Sequence, residues 1–575
     1  MNRDIRSIRE AEFRSQESGV RRAGYFNDVF TLYGRNNRIP QIIFYSFILS
    51  LFYLPVLVVF FKAFLHRNAL GQFGEFLSSQ VFLNTLSFSV KEACISSLGS
   101  LLLAFPGAYF FGRYEFPGKK LLRSIMILPF MFPGILVVLG MIVFYGRNGL
   151  LNHFLSWLTP DGGLQFQSLY GFWGIILAHI FYNFSFCLRL LSESWERIDP
   201  RLREASKVLG AGVFATLRRI TIPLLLPTIS YLFALVFLYS FLSFTIVLVL
   251  GGYLYKTFEV LIYIEYNHKL NFDRASMIAA VQIVLLAGVL FLQNIFNRKN
   301  KRQVNIYREL PKLSMKKRPL ATLVFQNYLL LVTVFFAGPL ITILSRSLNS
   351  SGLAGTQLTL DNYRLLFQEG FKFTVGTNFP ELIGVSLLIA LTVAVISISL
   401  AYITAGYRRN NSWGWLDIWF QLPLGISFLT FAFGIAVLGK PLPNWVLIVW
   451  AQVFLVFPLV YSILSSARHE FGDSLMEAAA TLGANPITIF RTVEFPMMKK
   501  AVGTAFAYAI ALSLGDLTSV LVLGNGKVNT ISLAVYQLIG HYRFAQATAL
   551  GSIYILLSLL LFIVIEQRSS KNRSQ

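Results

Sequence analysis

Charged residues are scarce in this sequence, and their scarcity excludes a soluble globular protein. Only 13% of the 575 residues are Asp, Glu, Lys or Arg, while 55% are hydrophobic. Soluble domains carry about 25% charged and about 45–50% apolar residues. The mean hydropathy of +0.61 points in the same direction. The composition therefore indicates a chain that crosses a lipid bilayer several times.

Cysteine is nearly absent as well. The two cysteines, Cys94 and Cys187, lie far apart in apolar segments. A disulfide framework or a cysteine-ligated metal site needs several cysteines at short spacings. We therefore expect neither on this chain.

The amino terminus lacks the pattern of a cleavable signal peptide. Residues 1–39 are polar and rich in arginine, and the first apolar run, which starts near Ile39, is too long for a signal-peptide core. We expect residues 1–39 to form a cytoplasmic tail.

Apolar runs long enough to cross a bilayer recur along the rest of the chain. A spanning helix needs about 20 mostly apolar residues. Twelve segments meet this requirement and predict an all-α polytopic membrane protein. The predicted spans are residues 40–64, 80–111, 121–146, 169–192, 224–250, 275–296, 320–345, 380–406, 415–438, 442–466, 498–523 and 546–566.

The net charge of +23 comes mainly from short connectors between these spans. Lys and Arg concentrate in every second connector, which is the positive-inside pattern of membrane proteins. A nucleic-acid-binding protein would instead carry its basic residues on one face or stripe. We therefore expect a lipid bilayer and no nucleic acid as a partner, and we predict that both termini lie in the cytoplasm.

A basic linker, residues 297–319, divides the chain into two similar halves, 40–296 and 320–566, which a short cytoplasmic tail, 567–575, follows. Because six spans separate equivalent positions, the halves are parallel repeats related by an axis along the membrane normal. A second spacing, 293 residues between Ala108 and Ala401, indicates extra residues in an external loop near 148–167. Residues that recur 273 positions apart are Glu204, Gly210, Pro223, Gly251, Thr257 and Tyr263, which return as Glu477, Gly483, Pro496, Gly524, Thr530 and Tyr536.

One cytoplasmic connector of each half carries the same pattern; we call residues 195–223 the first loop and residues 468–496 the second loop. In the first loop, Asp199 is a good helix cap, Gly210 is suited to end the helix in a left-handed conformation, and Pro223 opens the next span. In the second loop, Asp473, Gly483 and Pro496 repeat the plan. Each loop predicts two short helices at an angle. The alternative is an ordinary helical connector, but recurrence at equal spacing in both halves favours a docking role.

Both loops resemble the Glu-Ala-Ala loop of ABC importer permeases, E-A-A-x3-G-x9-I-x-L-P. The copies differ from it at Ser206 and Ile222 in the first loop, and at Val493 and Phe495 in the second. The resemblance implies the type I importer fold, a location in the bacterial inner membrane, an external solute-binding protein, and two ATPase subunits, one bound at each loop. The residues that it assigns to ATPase coupling are Glu204, Ala205, Gly210, Pro223, Glu477, Ala478, Ala479, Gly483 and Pro496.

The chain lacks a phosphate-binding P-loop of the form G-x-x-x-x-G-K-[ST]. The nearest string, Gly112 to Lys120, has one residue too many between its glycines and no hydroxyl after Lys119. We therefore expect a transport subunit that is not an enzyme and binds no cofactor, with ATP and Mg²⁺ used by the partner subunits.

Ionisable residues at membrane depth are costly and are candidates for a function. Asp516 lies inside a predicted span, and Ser243 is its equivalent in the first half. We predict that Ser240, Ser243, Ser513, Gly515 and Asp516 line the translocation path, against the alternative that helix packing alone satisfies Asp516. Weaker candidates are Lys91 and Glu92, whose side chains leave the helix in different directions, and His179, Asn183 and Arg189.

The strings around Ser243 and Asp516 resemble those of thiamine permeases, and ferric-iron permeases carry related strings. Thiamine or its phosphates are the favoured solute, because a cation suits an acidic residue among aromatic rings. Ferric iron is the alternative. A secondary transporter driven by an ion gradient, and a membrane scaffold or insertion factor, are the rival functional classes.

Overall fold

In the computed structural model, the described residues are 38–65, 69–126, 132–159, 165–299, 313–315, 319–352, 355–409, 416–438, 442–470 and 474–570. The predictions for the amino-terminal tail before residue 38, for linker residues 300–312 and 316–318, for Asp473 and for residues 571–575 lie outside them.

The first half consists of helices of very different lengths. Its helices are α1 (Arg38–Phe64), α2 (Ala69–Ser78), α3 (Gln80–Arg113), α4 (Lys119–Ile125), α5 (Gly134–Tyr145), α6 (Leu150–Leu158), α7 (Phe172–Glu196), α8 (Pro200–Val208), α9 (Val213–Thr216), α10 (Ile222–Phe241), α11 (Thr245–Leu250), α12 (Phe258–Tyr263) and α13 (Phe272–Lys299). Single π-helical turns, Leu217–Thr221 and Ile264–His268, follow α9 and α12.

The second half repeats this order. Its helices are α14 (Pro319–Ser347), α15 (Asp361–Arg364), α16 (Glu369–Val375), α17 (Phe379–Arg409), α18 (Leu416–Gln421), α19 (Phe428–Val437), α20 (Asn444–Glu470), α21 (Ser474–Thr481), α22 (Pro486–Ile489), α23 (Phe495–Gly515), α24 (Thr518–Leu523), α25 (Ile531–Gly540) and α26 (Phe544–Ser570). A π-helical turn, Phe490–Glu494, follows α22, and 3₁₀ turns, Leu365–Phe367 and Leu422–Gly425, follow α15 and α18.

Among the described residues, ten helices are long and apolar enough to cross a membrane, against the twelve spans predicted. The predicted span 415–438 is broken by the 3₁₀ turn Leu422–Gly425, where Pro423 cannot donate a helical hydrogen bond. The predicted span 498–523 is divided into α23 and α24 at Asp516. The predicted span 224–250 is divided in the same way into α10 and α11. Hydropathy does not detect such breaks, because the residues around them remain apolar.

The internal repeat predicted from the sequence extends to the element boundaries. Helices α9, α10, α11 and α12 begin 273 residues before α22, α23, α24 and α25, and the π-helical turns before α10 and α23 keep the same spacing. The two halves therefore share their local backbone from α9 to α12 and from α22 to α25.

The first helix of each half packs partly against the opposite half. Helix α1 contacts α19, and α14 contacts α5. Phe52 of α1 lies 4.9 Å from Phe457 between ring centroids, and Phe184 of α7 lies 4.7 Å from Phe336 of α14. These reciprocal aromatic contacts join the halves into one buried core.

Two short strand pairs depart from the all-α expectation. Strand β1 (Tyr114–Glu115) pairs in parallel with β2 (Leu313–Ser314), which lies at the end of the basic linker. Strands β3 (Asn349–Gly352) and β4 (Gly355–Leu358) form a hairpin. The first pair ties the linker to a cytoplasmic connector of the first half.

Candidate functional site

The first loop folds as two short helices joined at a glycine, as its sequence predicts. Asp199 caps α8 by accepting a hydrogen bond from the Arg201 amide at 2.9 Å. Gly210 ends this turn with φ +79°, and the Ala211 amide reaches back to the Ser206 carbonyl at 2.9 Å. Such a left-handed helix end favours glycine, because a Cβ atom would be strained there.

The second loop has the same backbone. Gly483 has φ +84°, and the Ala484 amide donates to the Ala479 carbonyl at 3.2 Å. Ala478 is exposed, as are Glu204 and Ala205 in the first loop. The side chain of Glu477 lies outside the described part of the structure.

The two loops hold their short helices together by different chemistry. In the first loop the Ser206 and Thr216 hydroxyls hydrogen-bond at 2.9 Å. The equivalent positions in the second loop are Ala479 and Ile489, and Ile489 packs in a small apolar cluster with Ala480. Ser206, a departure from the Glu-Ala-Ala pattern, therefore has a matched partner on the facing helix.

Pro223 and Pro496 are the second residues of α10 and α23, as the sequence predicts, but the helical conformation is not interrupted before them. The helical run is continuous from Val213 to Phe241, with a π-helical turn just before Pro223. A proline inside a helix lacks an amide hydrogen and clashes with the carbonyl four residues earlier. The wider π-helical turn accommodates this defect, and the second half repeats the arrangement at Pro496.

Each loop exposes apolar side chains beside its glycine hinge. Leu209 is 86% exposed and Leu482, its equivalent, is 88% exposed. Phe214 and Ile487, also equivalent to each other, project from the second short helices and are exposed as well. Paired apolar surfaces on polar connectors are typical of protein-binding sites.

The base of the second loop is anchored to a spanning helix. Arg468 forms an ion pair with Glu494 and donates to the Tyr402 carbonyl at 3.3 Å, which brings the end of α17 to the loop. In the first loop, burial lowers the pKa of the Arg203 guanidinium, and repulsion by the nearby Arg113 guanidinium of α3 acts in the same direction.

Asp516 lies at the break between α23 and α24, and its carboxylate is fully engaged. It accepts hydrogen bonds from the Thr518 amide at 2.9 Å and from the amide and hydroxyl of Ser519. Gln452 of α20 donates a further hydrogen bond at 3.1 Å. Asp516 therefore caps α24, which is the packing role weighed above against contact with the solute; the solute contact stays a prediction.

The remaining predicted pathway residues of the second half surround Asp516. The Ser513 hydroxyl donates to the Gln452 side-chain oxygen. A Cβ atom added at Gly515 would lie 3.3 Å from Pro133 of the first half. The sequence prediction missed Gln452, which connects Ser513 to Asp516.

The equivalent position in the first half carries a different chain of hydrogen bonds. The Ser243 hydroxyl lies 2.8 Å from His179 Nε2, and His179 Nδ1 contacts the Glu92 carboxylate. Ser96 also donates to Glu92, at 2.9 Å. Glu92 is 0% exposed, and its Oε2 atom makes no hydrogen bond within the described residues. The structure thus joins Ser243 to two residues that ranked as weaker candidates from the sequence.

The other candidates are not part of this chain of hydrogen bonds. Ser240 is buried without a hydrogen-bond partner for its hydroxyl among the described residues. Lys91 is exposed, whereas its neighbour Glu92 is buried, so the two adjacent residues find separate surroundings as predicted. Asn183 donates to the His179 carbonyl, and Arg189 pairs with Glu193.

The two polar clusters occupy equivalent positions of the repeat. His179 and Gln452 are 273 residues apart, as are Ser243 and Asp516. The same spacing, applied to His179, would have identified Gln452 from the sequence. We call Glu92, His179 and Ser243 the first cluster, and Gln452, Asp516 and Ser519 the second cluster.

The breaks that carry the clusters approach each other at the amino end of α5. A Cβ atom added at Gly134 would lie 3.7 Å from Thr245, two residues after Ser243. Pro133, the preceding residue, contacts Gly515 as described above. Consecutive residues of α5 therefore contact the break of each half, which puts both clusters close to the interface between the halves.

Comparisons with known proteins connect this arrangement to a family. The sequence profile described as "Binding-protein-dependent transport system inner membrane component" matches residues 104–302 and 397–571, together more than half of the chain. Each matched stretch contains one of the paired loops.

Curated relatives extend the similarity to nearly the whole length. The thiamine transport system permease protein of Haemophilus influenzae is 28% identical over 489 residues, covering 83% of this chain and 87% of the relative. The protein of that name from Escherichia coli K12 is 26% identical over 502 residues, with coverages of 85% and 89%. A solved bacterial ABC transporter involved in the import of the acidic polysaccharide alginate has a chain that is 20% identical, with a TM-score of 0.40, covering 49% of this chain and 100% of that chain.

Proposed function

The chain belongs to the family of binding-protein-dependent transport system inner membrane components, and we propose that it carries thiamine or thiamine phosphates into the cell. Its family makes it a multi-pass inner-membrane permease of an ABC importer, which works with a solute-binding protein and an ATPase. It is a transport subunit that fuses two permease halves in one chain.

The pair of matching cytoplasmic loops is the observation that carries the proposed mechanism. Each loop presents a glycine-hinged pair of helices with exposed apolar side chains, so each binds one copy of the ATPase subunit. ATP and Mg²⁺ are used by those two subunits, and this chain binds neither. Both termini lie in the cytoplasm with the loops.

The transport cycle follows from this arrangement. A loaded binding protein docks on the external face, and ATP binding draws the two ATPase subunits together. The subunits carry the loops with them, and the attached spans reorient the interface between the halves. Hydrolysis of ATP returns the spans to the inward-open state.

The assignment of the solute rests on the relatives and on chemistry. The relatives named above are thiamine transport permeases. A thiazolium cation suits an interface that contains the carboxylate of Asp516. Ferric iron is the competing solute to be tested.

Reconstitution tests the proposal directly. The chain is co-purified with its ATPase subunit and placed in vesicles with the loaded binding protein. We expect uptake of thiamine or its phosphates, driven by ATP and accompanied by solute-stimulated ATP hydrolysis. Binding of ferric iron alone by the partner binding protein would overturn the choice of solute. Failure of any ATPase subunit to bind the intact chain would favour an ion-driven transporter instead.

A further inference from the structure

In the first cluster, unlike the second, the hydrogen bonds form a chain in which each group donates to the next, from Ser243 through His179 to Glu92. With Glu92 ionised and the imidazole uncharged, the carboxylate only accepts hydrogen bonds, so the imidazole proton lies on His179 Nδ1. His179 Nε2 then accepts, and the Ser243 hydroxyl at 2.8 Å is its donor. In this protonation state, which is part of the inference, Glu92 determines which way the hydroxyl of Ser243 points.

As a consequence, the Ser243 hydroxyl can only accept hydrogen bonds from other groups. The single hydrogen of Ser243 is directed at the imidazole, so its oxygen presents acceptor sites to any other group. Glu92 and His179 are buried, whereas Ser243 is only partly buried. The chain of hydrogen bonds thus runs from the buried interior to one accessible oxygen at a helix break near the interface between the halves.

Structural stability alone does not account for this cluster. Placing an acidic residue near the middle of a membrane is costly. Well-packed apolar residues often replace buried polar or charged groups with no loss of stability. In the second half, α20 and the helix break are joined by a neutral glutamine and a carboxylate that caps a helix. A different solution at the same place in the first half indicates a different task.

We propose that Ser243 accepts a hydrogen bond from a donor group of the passing solute, and that Glu92 and His179 are positioning residues that hold its hydroxyl in the accepting orientation. The inference rests on the proposed function, in which the solute is thiamine. It names the part of the solute that is recognised, a hydroxyl or amino group.

The test compares solutes that differ by one donor group. The complete complex, with its ATPase and binding protein, is reconstituted in vesicles, and uptake per ATP hydrolysed is measured for three solutes. These are thiamine, an analogue without the side-chain hydroxyl, and an analogue without the pyrimidine amino group. For Ser243→Ala we expect uptake of thiamine to fall about three- to tenfold, the value of one hydrogen bond. Uptake of the analogue that lacks the recognised donor group should be the same in Ser243→Ala as in the wild type.

Variants of Glu92 and His179 distinguish a lost orientation of the Ser243 hydroxyl from a general folding defect. Glu92→Gln and His179→Gln should reproduce the selectivity of Ser243→Ala, because the hydroxyl is no longer directed, while Ser243→Thr should retain the wild-type selectivity. Ser192→Ala is the matched control, since this buried serine on α7 hydrogen-bonds only within its own helix. An equal loss for all three solutes in Ser243→Ala, or wild-type selectivity in both glutamine variants, would overturn the inference. If the wild-type complex carries no thiamine, the proposed function fails instead.

Discussion

The first and second loops share a backbone but join their helices with different side chains. Both turn at a left-handed glycine, with φ +79° at Gly210 and +84° at Gly483. The first joint is a hydrogen bond between Ser206 and Thr216, and the second is apolar packing around Ile489. The two polar clusters differ more strongly, because one ends in a serine hydroxyl and the other in a carboxylate.

This comparison separates two kinds of requirement. Under the proposed function, two copies of one ATPase subunit require the same docking shape twice, and the backbone and the exposed apolar positions of the loops agree between halves. An asymmetric solute requires no such agreement, and the clusters near the interface differ in the group that lies at the helix break, a serine hydroxyl in one half and a carboxylate in the other. The predictions below test this division between a symmetric cytoplasmic face and an asymmetric pathway.

The largest effect is expected from reversing the charge of both loops. Glu204→Lys combined with Glu477→Lys should abolish transport, because each loop then presents the wrong charge to its ATPase subunit. Membrane insertion should survive, since Glu204 is exposed and forms no part of the core. Uptake and the amount of bound ATPase subunit are measured in purified complexes.

The control for this variant carries the same charge changes on exposed glutamates outside the loops, Glu75→Lys with Glu369→Lys. These residues lie in external connectors under the proposed topology. Normal uptake by the loop variant would remove the loops from the coupling mechanism.

Substitution of the hinge glycines tests whether the shared backbone matters. Gly210→Ala and Gly483→Ala each force a side chain into a left-handed conformation, at about 1–2 kcal/mol. A Cβ atom at either position meets no other atom within 4 Å, so the conformation is the only expected source of strain. We expect weaker ATPase binding, measured by titration of the subunit against the reconstituted chain.

Gly212→Ala is a matched control for the hinge variants. Gly212 has φ −66°, and a Cβ atom there would also meet open space. If Gly212→Ala weakens binding as much as Gly210→Ala, the left-handed turn is not the critical feature.

A smaller and more selective effect is expected at Asp516. Asp516→Asn removes the charge, yet asparagine is a good helix cap and can still accept from the Thr518 amide. Uptake of a cationic solute should fall about tenfold if the carboxylate attracts it, which corresponds to about 1.4 kcal/mol, close to the lower end of what a hydrogen bond to a charged group contributes. The measurement is uptake of thiamine against an uncharged analogue in the same vesicles. Equal kinetics for the variant and the wild type would leave Asp516 with the capping role alone.

The smallest effect is expected from exchanging the joint between the short helices. Ser206→Ala alone removes a buried hydroxyl that contacts Thr216 and the Arg203 carbonyl, and should destabilise the first loop by about 1 kcal/mol. Adding Thr216→Ile recreates the apolar joint of the second loop and should recover the stability lost in Ser206→Ala. ATPase binding and protease sensitivity of the loop give the two readouts. A double variant weaker than Ser206→Ala would show that the two joints are not interchangeable.

The cytoplasmic loops were well predicted from the sequence because their structure follows local rules. Asp199 caps within two residues of its own position, and Gly210 ends a helix by its own backbone freedom. The spacing of 273 residues then predicted the equivalent helices of the second half. Local signals and an internal copy gave two independent indications of the same structure.

The polar clusters required the tertiary structure. Glu92 and His179 are 87 residues apart, and their contact depends on how α3 packs against α7. The breaks at Ser243 and Asp516 lie within apolar runs, so hydropathy assigned one span to each broken segment. The π-helical turns that join α9 to α10 and α22 to α23 were not predicted, because such a turn has no clear sequence signal.

The continuous helix that includes Pro223 has a mechanical consequence. From Val213 to Phe241 it contains 29 residues, or roughly 44 Å at about 1.5 Å per residue. One end lies in the loop that we assign to the ATPase, and the other end is followed within two residues by Ser243. The helical conformation continues between them through the π-helical turn and past Pro227. Under the proposed function, this helix and its counterpart in the second half carry movement of the loops to the two helix breaks near the amino end of α5.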